Sequence, residues 1–244
     1  ERLRTWTSNL EGHNPADQAL FVAYETATHH LAQEKADTDL ERKTRQIELD
    51  TLLDEKRRLE SGEEIVPPKP YTRTEDLRHE RLGAPLWKLV DFKENIEPEI
   101  RASVEAALEA SGLLDAWVLP EGQLLAPQTR DVVFTPGSPA PQGLGHLLKP
   151  AVNRNDPRAN AVTDSIVNKL LTGIGWGKSD HSCWIDDSGN WRLGTLQGNW
   201  GKPEAEYIGH GARQAARRRR LEALSVEIAH DEDILTKLQQ QLDR

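Results

Sequence analysis

Helix-breaking residues are distributed so unevenly along this chain that they divide it into three parts. Residues 67–208 hold 13 of the 14 prolines and 13 of the 17 glycines. Long stretches free of both residue types are what uninterrupted helices require. We therefore expect an outgoing coiled-coil arm over residues 1–66, a globular domain over 67–208 and a returning coiled-coil arm over 209–244.

The returning arm carries an apolar heptad pattern. Its seam has 3-4 spacing with one polar interruption, Asp231, and consists of Leu221, Leu224, Ile228, Asp231, Leu235, Leu238 and Leu242. Three heptads suffice to predict a coiled coil. An amphipathic helix packed on a globular core is the alternative that this pattern leaves open.

The outgoing arm predicts one long helix over residues 15–61. Asn14 and Pro15 form a helix start, and Gly62 with Pro67 and Pro68 ends it. Leu40 and Ile47 are seven residues apart, as are Leu52 and Leu59, but the two pairs do not share one heptad register. A helix is therefore favoured over a regular supercoil. The apolar positions of the arm are Leu20, Leu31, Leu40, Ile47, Leu49, Leu52, Leu53 and Leu59. Residues 1–12 are interpreted as the tail of a preceding helix that Gly12 interrupts.

A lone helix of this length, roughly 70 Å, cannot bury its own apolar stripe. The only matching stripe in the sequence lies in the returning arm. We therefore predict that residues 15–61 pair antiparallel with residues 212–244, and that the globular domain caps one end of the pair.

The middle segment predicts a compact α+β domain with two related halves. Strands are expected at 86–92 and 130–137, helices at 100–112 and 160–171, and a strand, turn and strand at both 116–127 and 182–198. PEGQLLAP and DDSGNWRLG occupy like positions after the two helices, which favours a weak internal duplication.

The candidate chemical motifs in this domain are incomplete. Gly177, Lys178 and Ser179 match the end of a P-loop, but Thr172 stands where its first glycine belongs, and a strand is expected to follow where a helix is needed. His181 and Cys183 are two zinc ligands where four are usual. Asp186 and Asp187 are better explained by a turn between strands. We expect no catalytic residues, no metal and no cofactor.

Composition narrows the class of protein further. The net charge of −9 excludes nucleic-acid binding through bulk charge, so any such contact needs a local basic patch. A single cysteine, Cys183, excludes an internal disulfide and fits a reducing cytoplasm. No apolar run is long enough to span a bilayer, so no membrane partner is expected. The absence of methionine and the start at Glu1 suggest a piece of a longer protein.

Three stretches resemble the hinge region of SMC-type proteins. They are GAPLWKLVDF (83–92), EAALEASGLLDAWVLPEGQL (105–124) and YIGHGARQAARRRRLEAL (207–224), and they are similar in particular to the MukB- and SbcC-like JetC subunits of Wadjet-type plasmid-defence systems. The resemblance implies a hinge that reverses the chain and joins two ATPase arms around DNA. The resemblance also implies that the ATPase heads and the contacts with other subunits lie in parts of the protein outside these residues. It further implies a cytoplasmic protein that is associated with the nucleoid or with plasmids. The late glycines are more dispersed than in ordinary SMC hinges.

Two candidate contact regions follow. Gly194, Leu196, Gly198, Trp200 and Gly201 are expected at a homodimer interface, where tryptophan is enriched and glycine permits close backbone approach; packing in the core of a small sheet is the alternative. A basic cluster at the start of the returning arm could contact DNA phosphates or pair with acids of the opposite arm. The acids considered are Glu55, Glu60, Glu63 and Glu64, and the cluster comprises Arg213, Arg217, Arg218, Arg219 and Arg220.

Two other functions compete with the dimerisation hinge. One is a nucleotide-binding or enzymatic domain on helical arms, which explains only the loop around Lys178. The other is a coiled-coil adaptor that binds another protein through its globular end.

Overall fold

The structure is a computed structural model that describes residues 2–9, 13–70, 72–73, 78–121, 123 and 130–243. Within these residues the helices are α1 (Arg2–Asn9), α2 (Pro15–Glu60), α3 (Leu86–Leu89), α4 (Pro98–Ala110), α5 (Asp164–Thr172) and α6 (His210–Leu242). The strands are β1 (Ala84–Pro85), β2 (Val90–Phe92), β3 (Trp117–Val118), β4 (Leu148–Pro150), β5 (Gly175–Trp176), β6 (Cys183–Ile185), β7 (Asn190–Leu193) and β8 (Leu196–Asn199).

The chain divides into two compact units. The helical unit comprises Glu1–Gly62 and Arg220–Arg244, and the globular unit comprises Glu63–Arg219. No helix among the described residues is long and apolar enough to cross a membrane.

In the helical unit, α2 begins and ends where the sequence predicted. The side chain of Asn14 accepts a hydrogen bond from the N–H of Ala16 at 3.0 Å, and Pro15 occupies the first turn. At the other end the N–H of Ser61 donates to the carbonyl of Arg57 at 3.0 Å, and Gly62 adopts a φ of +103°. Such a left-handed conformation after a helix is the reason for glycine there.

The two long helices run antiparallel, as predicted. Glu55 pairs with Arg220, whereas Arg45, ten residues earlier in α2, lies 3.9 Å from Asp231, later in α6. The buried seam between them includes Leu49, Leu59, Leu224, Ile228 and Leu238. Asp231 is buried in this seam, so the predicted polar interruption faces Arg45 rather than solvent.

Half of the apolar positions predicted in α2 are exposed rather than buried. Leu20, Leu31, Leu40 and Ile47 are all exposed. Leu40 and Ile47 are seven residues apart and share a face, but that face is rotated away from the one that carries Leu49, because successive helical residues are separated by about 100°. The seven-residue spacing therefore identified a real stripe on the wrong side of the helix.

The globular unit contains three small sheets. β1 pairs with β3 and β2 with β4, both antiparallel. The third sheet has the order β5-β6-β7-β8, with β5 parallel to β6 and the other neighbours antiparallel. The core between these sheets includes Leu89, Leu108, Leu144, Leu170 and Ile174, which are fully buried.

Two predicted strands differ from the structure. Over residues 86–92 only Val90–Phe92 is a strand, because Leu86–Leu89 forms α3; Leu86, Trp87 and Leu89 are all buried, so the run lacks the alternation that a half-buried strand shows. Residues 130–137 form no strand. Val133 makes one isolated bridge to Trp117, whose strand is only two residues long and offers nothing further to pair with.

The other predicted elements are present with shifted ends. α4 and α5 correspond to the helices expected at 100–112 and 160–171, and the expected hairpin at 182–198 is a three-stranded unit, β6 to β8. The second strand expected within 116–127 falls largely on residues 122 and 124–127, which lie outside the described residues. The duplication into two related halves therefore stays a prediction.

Candidate functional site

The four-stranded sheet has one covered edge and one open edge. At the β5 edge, the N–H of Trp176 donates to the carbonyl of Gln142 at 2.8 Å and Gly143 bridges to Gly175, so the preceding loop covers that side. At the opposite edge, β8 pairs with β7 and has no strand on its other side among the described residues. Unpaired backbone groups along such an edge are a template for another strand.

Two exposed apolar side chains, Leu196 and Trp200, lie at this open edge beside the polar and exposed Gln197 and Asn199. Cross-strand pairing aligns Cys183 with Leu193, and Leu193 with Leu196, so these three residues form one row on a single face of the sheet. Cys183 and Leu193 pack on the core, but Leu196 at the end of the row is 63% exposed. Trp200, just after the strand, is 53% exposed. The apolar row thus ends without a cover.

The backbone N–H and carbonyl of Trp200 both lie against Gly189. Its N–H donates to the carbonyl of Gly189 at 3.1 Å, and a Cβ on Gly189 would lie 1.9 Å from the carbonyl oxygen of Trp200. Only glycine allows this close approach. The exposed indole is therefore presented from a constrained loop position.

The three glycines predicted at the interface have different roles. Gly194 has a φ of +62° at the first central position of the β7–β8 turn, where a tight hairpin turn favours glycine. A Cβ on Gly198 would lie 2.7 Å from the Trp191 ring, so the chain's own tryptophan occupies that space. Gly201 has no atom within 4 Å of such a Cβ. Close approach of a second backbone therefore remains available at Gly201 but not over Gly198.

Trp184 is a core residue and not part of the exposed surface. It lies on β6 and is buried. Trp191 is partly buried against the same core, and its ring covers Gly198. The aromatic surface available to a partner is thus Trp200 rather than the three tryptophans together.

A buried carboxylate, which the sequence analysis missed, holds the segment after β8. Glu105 in α4 is fully buried, and its Oε1 accepts from Lys202 Nζ at 2.9 Å and the N–H of Glu206 at 2.6 Å. Its Oε2 accepts from the N–H groups of Tyr207 at 3.0 Å and Ile208 at 2.8 Å. We call this arrangement the Glu105 clamp. No signal in the sequence of α4 marked Glu105, because its hydrogen-bond donors lie about 100 residues later in the chain.

The ionisation of two clamp residues is shifted. Burial alone lowers the pKa of Lys202, but the Glu105 and Glu109 carboxylates outweigh it and raise that pKa above its ordinary value. Burial raises the pKa of Tyr207 to about 12, although Lys202, 4.3 Å from its ring centre, opposes the shift. At physiological pH Lys202 is therefore charged and Tyr207 is neutral.

The arginine cluster is largely engaged within the chain. Arg213 donates to Glu64 at 3.1 Å and to the carbonyl of Tyr207 at 3.0 Å, and Arg219 pairs with Glu204. In the helical unit, Arg220 donates to both oxygens of Glu55 at 2.8 Å and to Glu227 at 2.9 Å. Glu55 and Glu64 are two of the four acids considered as partners from the sequence.

The remaining two arginines differ in exposure. Arg217 is half-buried and Arg218 is exposed. A DNA contact through the five arginines stays a prediction. Arg213, Arg219 and Arg220 already contact carboxylates, so a DNA phosphate would have to compete with these carboxylates for their charge.

The residues singled out for possible chemistry have structural partners. Nδ1 and Nε2 of His181 lie 2.8 Å and 3.1 Å from the carbonyl oxygens of Cys183 and Ser138. Burial raises the pKa of the Cys183 thiol to about 11. Oδ1 of Asp186 accepts from the N–H groups of Ser188 and Asn190 at 3.0 and 2.9 Å, which confirms the predicted turn.

The loop around Lys178 leads into strand β6 and not into a helix, so it lacks the helix N-terminus that binds phosphate in a P-loop. Over the described ranges, no group of three or more histidine, cysteine or acidic side chains is placed to hold a metal ion.

Comparison with known proteins gives matches among solved structures alone: no family model and no curated protein matches. The Smc hinge domain of Pyrococcus furiosus with an extended coiled coil is 14% identical, with 99% of this chain and 94% of that chain covered and a TM-score of 0.33. The asymmetric dimer of the Geobacillus stearothermophilus SMC hinge domain is 12% identical, with 91% of this chain and 96% of that chain covered and a TM-score of 0.30.

Proposed function

We propose that this chain is a dimerisation hinge carried on a two-helix arm, in which two copies of the globular unit join along β8. The observation that carries the proposal is the open edge of the four-stranded sheet, with Leu196 and Trp200 exposed beside it. The antiparallel pairing of α2 and α6 supports the arm, because an outgoing and a returning helix are what a chain-reversing hinge needs.

The edge has the properties of a stable joining surface. Pairing β8 with a second strand would satisfy backbone groups on both strands, and the apolar row that ends at Leu196 would continue into the second copy. Trp200 would lose exposed apolar surface in the same step, and tryptophan is enriched among residues that dominate interface energies. Gly201 leaves room for the second backbone next to that indole.

We propose further that the parent protein is an SMC-like ATPase of the JetC type, in which this hinge joins two ATPase arms and closes a compartment around DNA during plasmid defence. The support is the resemblance of residues 83–92, 105–124 and 207–224 to that family. On this proposal the chain itself is not an enzyme.

The competing proposal is a monomeric adaptor that uses the same edge for a different protein. Its distinguishing property is molecular mass. An adaptor stays monomeric at concentrations where a hinge is a dimer, whereas a hinge dissociates only when its own edge is altered.

Light scattering on the chain and two variants tests the proposal. Leu196→Arg places a charge in the edge, and Val132→Arg is the matched control, because Val132 is also an exposed aliphatic residue of the globular unit. We expect a dimer for the chain at tens of micromolar, a dimer for Val132→Arg and a monomer for Leu196→Arg. A monomeric mass for the unaltered chain would overturn the hinge, and a dimeric Leu196→Arg would move the interface away from β8.

A further inference from the structure

One face of α2, other than the one that meets α6, is formed by eight successive residues at spacings of three and four, and none of them is acidic, lysine or arginine. We call it the outer stripe; it consists of Thr26, His29, Gln33, Ala36, Leu40, Thr44, Ile47 and Thr51. Spacings of three and four residues place all eight on one side of the helix. All eight are exposed. At 1.5 Å per residue the stripe is roughly 38 Å long.

The outer stripe is distinct from the seam with α6. The seam residue Leu49 is buried, whereas Leu40 and Ile47 are 66% and 68% exposed. A turn of about 100° per residue separates the two faces by well over a quarter of the helix circumference. Within the helical unit, α6 therefore leaves this face uncovered.

Three threonines of the stripe have their hydroxyls satisfied within the helix. Thr26, Thr44 and Thr51 each donate their hydroxyl to the carbonyl four residues earlier, at 2.8, 3.0 and 2.8 Å. These hydroxyls therefore need no hydrogen-bond acceptor outside the helix. Together with Leu40 and Ile47, Thr44 and Thr51 make up the part of the stripe that we call the apolar ridge.

A groove lies beside the end of this ridge. Its volume is about 420 Å³, and its walls are formed by Ile47, Glu48, Thr51 and Leu52 of α2 with Glu227, His230 and Asp231 of α6. Such a groove next to an apolar ridge accepts side chains from a third helix packed along α2.

The charges that border the ridge indicate which helix fits. Asp37, Glu41 and Glu48 lie along one side, and Asp50 and Asp54 along the other. Glu48 and Asp54 pair with Arg45 and Arg57 at 2.9 and 2.8 Å, and Lys43 is held by Asp39 at 2.6 Å. The other three border acids, Asp37, Glu41 and Asp50, supply the negative charge that these cations do not offset. A second copy of α2 would set these acids against their counterparts, and like charges at such short range are unfavourable.

We propose that the outer stripe binds a helix of another protein that carries an apolar ridge flanked by lysine or arginine. The apolar ridge and groove supply the contact surface, and the acidic borders select the basic flanks. This interaction does not depend on dimerisation through β8.

Two synthetic helical peptides test the proposal. Both have leucines at 3-4 spacing; one has lysines and the other glutamates at the flanking positions, and each carries a fluorescent label for anisotropy measurements at physiological salt. The lysine peptide should bind the chain and the glutamate peptide should not. Combining Leu40→Ala with Ile47→Ala should weaken binding about tenfold or more. Val226→Ala is the control, because Val226 is an exposed aliphatic residue of α6.

Each alternative gives a different result. If the lysine peptide binds the alanine variant as well as the unaltered chain, the attraction is only to net negative charge and the proposal is wrong. Equal binding of both peptides, or of neither, also overturns it. If the alanine variant instead loses a dimer that Leu196→Arg retains, the occupant is a second copy. Circular dichroism checks that the alanine variant keeps its helix content, which alanine favours.

Discussion

Replacing Glu105 by glutamine should cost more stability than any surface change in the globular unit. The side chain is fully buried, and each carboxylate oxygen accepts two hydrogen bonds. Glutamine keeps one acceptor oxygen but places an NH₂ group against the two donors at the other position. A buried donor without an acceptor costs about 1–3 kcal/mol, and loss of one member of a buried ion pair about 3–5 kcal/mol. We expect a loss of about 3–5 kcal/mol in the free energy of unfolding.

Urea unfolding followed by tryptophan fluorescence measures this loss. Glu109→Gln is the matched control, because Glu109 contacts the same lysine at 3.0 Å but is partly exposed. The control should lose no more than about 1 kcal/mol. A loss below about 1 kcal/mol for Glu105→Gln would refute the view that the clamp holds the segment after β8.

The clamp also predicts how stability depends on alkaline pH. The pKa of Lys202 is raised in the folded chain, so its contribution is complete below the ordinary pKa of 10.5 and is lost as pH rises through the folded value. Tyr207, with a pKa raised to about 12 from 10.0, also favours the folded state while neutral. Stability should therefore fall above about pH 10, and less steeply in Glu105→Gln because Lys202 has lost its main partner.

Three further outcomes are expected. Cysteines at Leu53 and Leu221 should form a cross-link readily, and failure to do so would contradict the antiparallel arm. A double-mutant cycle on Arg220 and Glu55, measured by urea unfolding, should give a favourable coupling of about 0.2–1 kcal/mol; zero coupling would contradict the paired geometry. Cys183 should react with a disulfide reagent at pH 8 about 100-fold more slowly than in urea, because burial raises its pKa to about 11; equal rates would show an accessible thiolate.

The arms were predictable because their determinants are local. Asn14, Pro15 and Gly62 act on the backbone within a turn of where they lie, so both ends of α2 could be read from the sequence. The partner face was harder to assign. Leu40 and Ile47 have the same seven-residue spacing as Leu52 and Leu59, and spacing alone does not say which of two stripes meets α6.

The interface region was only partly predictable for a related reason. Leu196 and Trp200, which were expected at a homodimer interface, are exposed beside an open sheet edge that the sequence did not predict. Gly198 is small because Trp191 fills its space, a contact between adjacent strands. The Glu105 clamp depends on donors about 100 residues away in sequence, from Lys202 to Ile208. Such a pairing exists only after the chain has folded, so no local pattern reveals it.

Hydrogen–deuterium exchange of β8 tests the central claim most directly. The amides of Leu196–Asn199 should exchange more slowly at concentrations where the chain is dimeric than at dilution, and this protection should be absent in Leu196→Arg. Gly175–Trp176, at the edge already covered by the chain itself, is the internal reference and should exchange equally at both concentrations. If the chain is dimeric and the exchange of β8 does not change with concentration, β8 is not the joining edge and the proposed hinge geometry is wrong.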